Sequence, residues 1–199
     1  MPVEDQIMMQ DYKEVLLEIL YVRSFIFDEK DGFLLSSGQR SNMYIDAKKT
    51  TLSAEGMEHI GYAFFNEIKN EPIDAIGGLT MGADPIAYAT ALISTMNGKT
   101  LDAFIVRKEP KKHGTMKWIE GNLRPGSWVC VVDDVVTTGA SVVTAIERLR
   151  ESGFHVRRVI ALVDREEGGR ENIEKADCKF VSLLTKTDFV EFHKKHGQK

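Results

Sequence analysis

The segment from Trp128 to Leu149, WVCVVDDVVTTGASVVTAIERL, contains the pattern that decides the fold. Residues 128–132 are apolar without interruption and rich in β-branched side chains, which predicts a buried strand of a parallel sheet. Beyond a polar turn, the apolar residues recur with the period of a helix that packs by one face. They are Val142, Val143, Ile146 and Leu149. The segment therefore predicts a strand, two acidic residues, a short loop and a helix.

The loop, Thr137 to Ser141, has the features of a phosphate-binding turn. Backbone N–H groups at the start of a helix are unpaired and lie at the positive end of its dipole, so they can bind a phosphate dianion. Gly139 lets the backbone approach a ligand closely, and the hydroxyl groups of the loop add donors. The chain contains no Walker A sequence, so an NTPase has little support.

Asp133 and Asp134 lie between the predicted strand and this loop. They could accept hydrogen bonds from ribose hydroxyls, or hold a Mg²⁺ ion that is shared with oxygens of the substrate. The alternative is that the two acids merely end a strand and Ser141 merely caps a helix. We disfavour it because strand, acids, loop and helix occur together, as a functional motif of this kind requires.

Composition limits the class of protein. A chain of 199 residues that is 43% hydrophobic can bury the core of one domain. The net charge of −4 gives no overall attraction to nucleic acid or to anionic membranes. Apolar runs fall well short of the roughly 18 residues of a membrane span, and the first residues are acidic rather than signal-like. Cys130 and Cys178 lack metal-ligand spacing, and we expect both to be reduced and buried in a cytoplasmic protein.

Strand and helix patterns alternate from about residue 53 onward. This order predicts an α/β fold with a mainly parallel sheet, helices on both faces, and ligands at the carboxyl ends of the strands. The predicted strands are 73–77, 102–106, 128–132, 156–163 and 180–184. The predicted helices are 12–27, 52–68, 85–96, 142–149 and 186–196, with Ser53 as N-cap of the second and Pro85 in the first turn of the third.

The second strong pattern is the segment 107–117, RKEPKKHGTMK, which holds five Lys or Arg residues and one His. A run of charge is usually just a solvated face. This run follows a predicted strand, contains Pro110 and Gly114, and has no apolar period, which favours a loop. A cationic loop opposite a phosphate site can act as a lid that stabilises a leaving anion.

These motifs carry a family resemblance. The segment 128–149 closely resembles the signature of type I phosphoribosyltransferases, which bind 5-phosphoribosyl 1-diphosphate there. The lid matches the catalytic loop of the orotate phosphoribosyltransferases, R-K-x-x-K-x-H-G. The matching residues are Arg107, Lys108, Lys111, His113 and Gly114. The resemblance implies a type I phosphoribosyltransferase fold and a homodimer in which each lid crosses to the neighbouring active site.

Residues 33–46 resemble the N-terminal hood of the same family, F-x-L-x-S-G-x-x-S-x-x-Y-x-D, which closes over the pyrimidine base. By pattern alone, these residues predict a hairpin of two short strands around a polar turn. Ser36 stands where many bacterial members carry a lysine, and Tyr44 and Ile45 stand where an aromatic pair often lines the base. We expect a single domain, 1–199, with an N-terminal helix and hood in 1–50 and an α/β core in 51–199.

Two further segments fit the family. The turn Gly77 to Gly82 follows a strand and, by resemblance, binds the diphosphate end of the substrate, although a βα turn without a ligand would look the same. The sequence 164–169, DREEGG, matches D-R-x-E-x-G, in which the arginine pairs with the carboxylate of orotate. Arg165 is therefore the residue that identifies the base.

The resemblance implies transfer of 5-phosphoribosyl to orotate, with Mg²⁺, to give orotidine 5′-phosphate and diphosphate in pyrimidine biosynthesis. The residues implied in catalysis are Lys111, His113, Arg107 and Asp134. Those implied in binding 5-phosphoribosyl 1-diphosphate are Arg107, Lys108, Lys111, His113, Asp133, Asp134, Val135, Val136, Thr137, Thr138, Gly139, Ala140 and Ser141. Those implied in binding orotate are Thr137, Arg165, Ser36, Tyr44 and Ile45. The metal would be held mainly by the substrate, with Asp133 and Asp134 as candidate ligands.

Two alternatives remain. A phosphoribosyltransferase for another base, such as a purine, would keep the phosphate loop but lack the lid spacing and the Arg165 motif. A non-catalytic regulator that senses 5-phosphoribosyl 1-diphosphate would lose lid cations or add a nucleic-acid-binding segment. Because the lid spacing is complete, we expect small-molecule substrates as the partners, without nucleic acid or membrane.

Overall fold

The computed structural model describes residues 3–28, 32–34, 40–110 and 117–197 of the chain. Their elements in chain order are α1 (Val3–Ser24), β1 (Phe25–Phe27), β2 (Phe33–Leu34), β3 (Arg40–Ser41), β4 (Met43–Ile45), α2 (Lys48–Thr51), α3 (Ala54–Ile68), β5 (Ala75–Leu79), α4 (Ala83–Met96), β6 (Asp102–Val106), β7 (Ile119–Gly121), β8 (Trp128–Val136), α5 (Ala140–Glu151), β9 (His155–Asp164), α6 (Gly169–Lys175), β10 (Phe180–Thr185) and α7 (Lys186–His196). Among the described helices, none has both the length and the apolar character to cross a membrane.

The main sheet has six strands in the order β10-β9-β8-β5-β6-β7. All neighbouring pairs are parallel except β6 and β7, which are antiparallel. One apolar layer packs α3 and α4 on one face, through residues such as Phe64 and Ile86. A second layer packs α5 on the other face, through residues such as Ile146 and Leu149. The predicted α/β class with helices on both faces is confirmed.

β8 lies in the middle of this sheet, paired with β5 and β9. Its apolar run is uninterrupted because both of its faces are covered by helices. The prediction that the strand ends at Val132 is wrong, since pairing with β9 continues from Asp133 opposite Ala161 to Val136 opposite Asp164. The two acids therefore belong to the strand, where backbone hydrogen bonds fix their positions.

Two glycines hold β5 close to both of its neighbours. A side-chain carbon on Gly77 would collide with the carbonyl oxygen of Phe104 in β6, and one on Gly78 would collide with that of Val132 in β8. Both positions are buried. The glycines therefore let three strands pack tightly at the point where β8 carries its acids.

Most of the other predicted elements are found with small shifts at their ends. The strand 102–106 and the helix 186–196 are confirmed as β6 and α7. Ser53 caps α3 as predicted, because its Oγ accepts a hydrogen bond from the Gly56 N–H at 3.1 Å. The sequence does not predict α2, α6 and β7, which are short and have no clear apolar period.

The N-terminal region differs from the prediction at one point. The predicted helix 12–27 ends at Ser24, and Phe25–Phe27 forms a strand that pairs antiparallel with Met43–Ile45. An apolar run of aromatic and β-branched residues suits either structure, and the partner strand decides between them. The predicted hairpin is present as β2 paired with β3. Its turn, including Ser36, lies outside the described residues.

A buried ion cluster ties α3 to the amino end of β9. The Arg158 side chain is 5% exposed, and its Nη2 lies 3.1 Å from Glu67 Oε2 while its Nη1 contacts Glu71 Oε1. Lys99 Nζ donates to backbone carbonyls at the end of α3, including that of Ile68 at 3.0 Å. Positive groups at the end of a helix satisfy its unpaired carbonyls and oppose its dipole.

We expect Arg158→Met to lower the free energy of unfolding by about 2–3 kcal/mol, because Glu67 loses this cation and Glu71 keeps only the more distant Arg157. Arg157→Met is the matched control: the neighbouring guanidinium is 47% exposed and 3.7 Å from Glu71. Its loss should cost less than about 1 kcal/mol. Chemical denaturation at fixed protein concentration measures both, and equal losses would contradict the assignment of the cluster.

Candidate active site

The carboxyl ends of β5, β8 and β9 lie side by side in the sheet and carry the residues that the sequence analysis singled out. Asp133 and Asp134 belong to β8, the turn that ends at Gly82 follows β5, and Arg165 follows β9. This is the edge at which parallel α/β sheets bind ligands. The fold therefore gathers three separate sequence motifs at one place.

The two acids are buried next to the turn after β5. Their side chains fold back on the strand, since Asp133 Oδ1 accepts from the Asp134 N–H at 3.1 Å and Asp134 Oδ1 accepts from the Val135 N–H at 2.9 Å. A side-chain carbon on Gly82 would lie 2.9 Å from Asp133 Oδ1 and would also collide with Asp134. The glycine thus leaves the space that both carboxylates need.

Burial, followed by the charge of Asp134, raises the pKa of Asp133 above the ordinary value for a carboxyl group. The Lys48 ammonium opposes this shift only in part. Lys48 Nζ lies 3.7 Å from Asp134 Oδ2 and 3.6 Å from Asp46 Oδ1, so it connects the hood side of the site with the strand. Lys48 is not predicted as a site residue, because a lysine pair at a short helix has the pattern of a solvated surface. The acid pair is a place where additional positive charge would be favourable.

The predicted loop leads into α5, which begins at Ala140, two residues earlier than predicted. Gly139 is the N-cap residue with φ of 76°, a conformation that favours glycine, and it has no side chain to cap the helix. A side-chain carbon there would lie 3.0 Å from the Gly169 carbonyl. The Asn172 side chain of α6 also donates to the Thr138 carbonyl at 2.9 Å. α6 therefore supports a loop whose first N–H groups can bind an anion.

The remaining loop residues divide into exposed and buried ones. Thr138, Ala140 and Ser141 are exposed, and Thr137 is half-buried. The side chain of Val136, by contrast, is buried in the apolar layer beneath α5. Its carbonyl accepts a hydrogen bond from the Arg165 N–H at 2.9 Å, which fixes the next loop against this one.

Arg165 is buried, yet its guanidinium is poorly paired. Nη2 lies 3.2 Å from Glu167 Oε1. Within the described part of the chain, however, neither Nε nor Nη2 has a hydrogen-bond acceptor. A buried donor without an acceptor is costly, and Nε and Nη2 together form an edge that suits a planar carboxylate. Arg165 therefore has the geometry of an anion-binding residue.

A cavity of about 760 Å³ separates the hood strands from the phosphate loop and the loop after β9. The residues that line it are Phe27, Arg40, Ser41, Asn42, Met43, Thr138, Glu166, Glu167, Lys186 and Val190. From β4 it is Met43 that lines this cavity, and Tyr44 points to the opposite face because neighbouring strand residues alternate. Tyr44 is exposed with its ring 5.6 Å from that of Phe33, and Ile45 lies in the core.

The two ends of the lid are anchored on α5. Arg148 donates to the Arg107 carbonyl at 2.5 Å and to the Lys108 carbonyl at 3.3 Å. Its guanidinium also lies 3.9 Å from the centre of the Trp118 ring. Lys111 and His113 lie outside the described residues. The helix that starts at the phosphate loop thus also holds the base of the lid.

Comparison with known proteins agrees with this arrangement. The sequence model of the phosphoribosyl transferase domain family matches residues 48–197 of this chain. The orotate phosphoribosyltransferase of Aquifex aeolicus is 47% identical over 178 residues, which cover 89% of this chain and 97% of that protein.

Solved structures are similar as well. The crystal structure of Mycobacterium tuberculosis orotate phosphoribosyltransferase with Fe(III) dicitrate matches at a TM-score of 0.78 and 34% identity, over 89% of this chain and 98% of that one. The structure of the same enzyme with 5-phospho-α-D-ribosyl 1-diphosphate matches at a TM-score of 0.74 and 32% identity, over 90% and 99%. The chain therefore belongs to the orotate phosphoribosyltransferases, which are built on the phosphoribosyl transferase domain.

Proposed function

We propose that this protein transfers the 5-phosphoribosyl group of 5-phosphoribosyl 1-diphosphate to orotate. The products are orotidine 5′-phosphate and diphosphate, a step of pyrimidine biosynthesis. Relatives that match nearly the whole chain bear the name of this activity. Within the site, the observation that carries the proposal is the buried Arg165, whose unsatisfied donors suit the carboxylate that distinguishes orotate from uracil.

The phosphate loop would bind the 5-phosphate. The backbone N–H groups at the start of α5 are not capped by Gly139, and the exposed Thr138 and Ser141 bring hydroxyl donors to the same place. An anion at the amino end of a helix is stabilised by these donors and by the helix dipole. Asp133 and Asp134 would then accept hydrogen bonds from the ribose hydroxyls, with Val135 and Val136 between them and the loop.

The chemistry requires little covalent participation by the protein. Nucleophile and leaving group exchange at a ribose carbon that becomes cationic in the transition state, as in glycoside hydrolysis. The protein must hold the base nitrogen against that carbon and stabilise the departing diphosphate. We assign the second task to the lid cations, Lys111 and His113, together with Arg107 and Lys108 at its base.

Phosphoribosyltransferases generally use Mg²⁺ with their diphosphate substrate, and the acid pair fits such an ion. The described residues contain no cluster of three or more His, Cys, Asp or Glu side chains that could hold a metal by themselves. Mg²⁺ is commonly bound by one or two carboxylates plus substrate oxygens, which suits Asp133 and Asp134. Bound there, the ion would neutralise charge on the diphosphate and oppose the burial and the Asp134 charge that raise the pKa of Asp133.

We further propose that the enzyme is a homodimer in which each lid serves the neighbouring site. Three large apolar side chains of α4 are exposed at a spacing of four residues: Tyr88, Leu92 and Met96. An exposed apolar stripe of this kind marks a contact surface. α4 begins directly after Gly82, beside the acid pair, so a two-fold contact through α4 would bring a second copy of the chain close to this site.

Arg165→Ala should raise the KM for orotate on the order of 100-fold, because a carboxylate would lose a buried, charge-assisted partner. The KM for 5-phosphoribosyl 1-diphosphate should stay nearly unchanged, since other residues hold that substrate. Arg165→Lys should recover only part of the loss, because an ammonium group keeps the charge but not the planar fork. Steady-state kinetics measure all three, and efficient use of uracil by the wild type would contradict the assignment of the base.

Asp133→Asn should stabilise the free protein, and more so at higher pH. Because folding raises the Asp133 pKa, wild-type stability is lost as pH rises from the ordinary carboxyl value through the raised one. The amide has no such loss, so at pH 8 its melting temperature should exceed that of the wild type by about 3–6 °C. The gain should shrink towards pH 5. Asp102→Asn, on an exposed strand end, is the control, and a pH-independent gain in Asp133→Asn would contradict the explanation.

Leu92→Asp should convert a dimer into monomers and lower kcat, because the change places charge within the proposed contact and separates each site from the neighbouring lid. Val22→Asp is the control, since Val22 is 75% exposed on α1 and lies outside the stripe. Light scattering gives the oligomeric state, and kinetics give kcat. A monomer with full activity would show that each subunit uses its own lid.

A further inference from the structure

Arg165 and Glu167 form a largely buried ion pair that leaves donors of the guanidinium without acceptors among the described residues. The two side chains are 6% and 15% exposed, and Arg165 Nη2 lies 3.2 Å from Glu167 Oε1. This is ionic proximity without hydrogen-bond geometry, since Nη2 and Nε both remain without an acceptor among the described residues. Glu167 therefore lies against one corner of the guanidinium edge and leaves that edge unsatisfied.

Hydrogen bonds hold the surrounding loop, while the Glu167 carboxylate has a single ionic contact within the described residues. The Arg165 N–H donates to the Val136 carbonyl, and the Glu166 N–H donates to Asp164 Oδ1 at 2.8 Å. Glu166 Oε2 in turn accepts from the N–H and the Oγ of Thr187, at 2.9 and 2.7 Å. In the described part of the chain, Arg165 is the one ionic or hydrogen-bonding partner of Glu167.

We propose that the Glu167 carboxylate acts as an internal stand-in for the carboxylate of orotate. This inference rests on the proposed function, in which Arg165 recognises that group. In the free enzyme Glu167 keeps a buried guanidinium from lying wholly without a counter-charge, which would be unfavourable. Orotate then displaces Glu167 and satisfies both donors of the edge at once, which one corner contact does not.

The cavity gives the displaced side chain a place to go. Glu167 already lines it, and so does Lys186, whose ammonium offers an alternative counter-charge across the same space. A base without a carboxylate cannot displace Glu167 in this way, so the Arg165–Glu167 pair stays closed against it. Glu167 would then lower the affinity for orotate, but only a ligand with a carboxylate could separate the Arg165–Glu167 pair.

A role of Glu167 in positioning Arg165 predicts the opposite change in the affinity for a carboxylate ligand. If Glu167 positions Arg165 for orotate, removal of its charge weakens the binding of a carboxylate ligand. If Glu167 competes with the ligand, removal of its charge strengthens that binding. The sign of one affinity change therefore separates a positioning residue from a competitor.

The test compares two nucleotides on the full-length protein by calorimetry. Orotidine 5′-phosphate carries the carboxylate, and uridine 5′-monophosphate lacks it but keeps the same ribose phosphate. In Glu167→Gln, we expect the dissociation constant for orotidine 5′-phosphate to fall about three- to tenfold, the scale of the net contribution of one hydrogen bond. The constant for uridine 5′-monophosphate should not change. Because the ratio is taken within one variant, a general loss of folded protein cancels.

Glu166→Gln is the matched control. Glu166 lines the same cavity and loses the same charge, but its carboxylate is held by Thr187 rather than by Arg165. Its ratio should stay within about twofold of the wild type, as for a charge change without a direct contact. Equal gains in both variants would assign the effect to cavity charge and overturn the proposal, as would a weaker or unchanged orotidine 5′-phosphate affinity in Glu167→Gln.

A different result would contradict the proposed function itself. If Arg165→Ala leaves the ratio of the two dissociation constants at its wild-type value, Arg165 does not recognise the carboxylate and the orotate assignment fails. If Arg165→Ala removes the preference for orotidine 5′-phosphate but Glu167→Gln does not increase it, the assignment stands and only the stand-in role of Glu167 is refuted.

Discussion

The site depends on the pairing of β8 with a parallel neighbour on each side. Pairing with β9 continues along this strand past Asp133 and Asp134. The backbone of the two acids is therefore held in the sheet, which keeps their carboxylates close together. Burial disfavours a charged carboxylate and the two acids repel one another, and both effects raise the pKa of Asp133. The strand that gives the fold its core thus also creates a local demand for positive charge, which Lys48 meets only in part.

The centre of the fold could be predicted because its signals are local. The apolar run at 128–132 and the helical period after Ser141 identify β8 and α5 without knowledge of any partner. The extension of β8 to Val136 could not be predicted, because it depends on the register with β9 while the acids interrupt the apolar pattern. The helix predicted for Phe25–Phe27 is wrong for the same reason, because these residues form a strand that depends on pairing with β4.

The site divides in a similar way. Spacing within a single segment was enough to single out the acid pair, the loop 137–141 and Arg165, which the fold brings to one edge of the sheet. Residues that act across the chain gave no such signal: Lys48 reaches Asp134, and Arg148 reaches the Arg107 carbonyl from α5. A lysine beside a short helix and an arginine on a helix face are ordinary surface residues until the tertiary structure shows what they contact.

The close packing of β5 has a consequence for mutagenesis. Gly77 and Gly78 have no side chain that could contact a substrate, so a library aimed at binding side chains would omit them. Yet any side chain at Gly78 would press on the Val132 carbonyl, directly before Asp133, and one at Gly77 would push β6 away. The tolerance of these two positions to substitution should therefore resemble that of catalytic residues, so a mutational map of the protein would show a functional footprint larger than its ligand-binding surface.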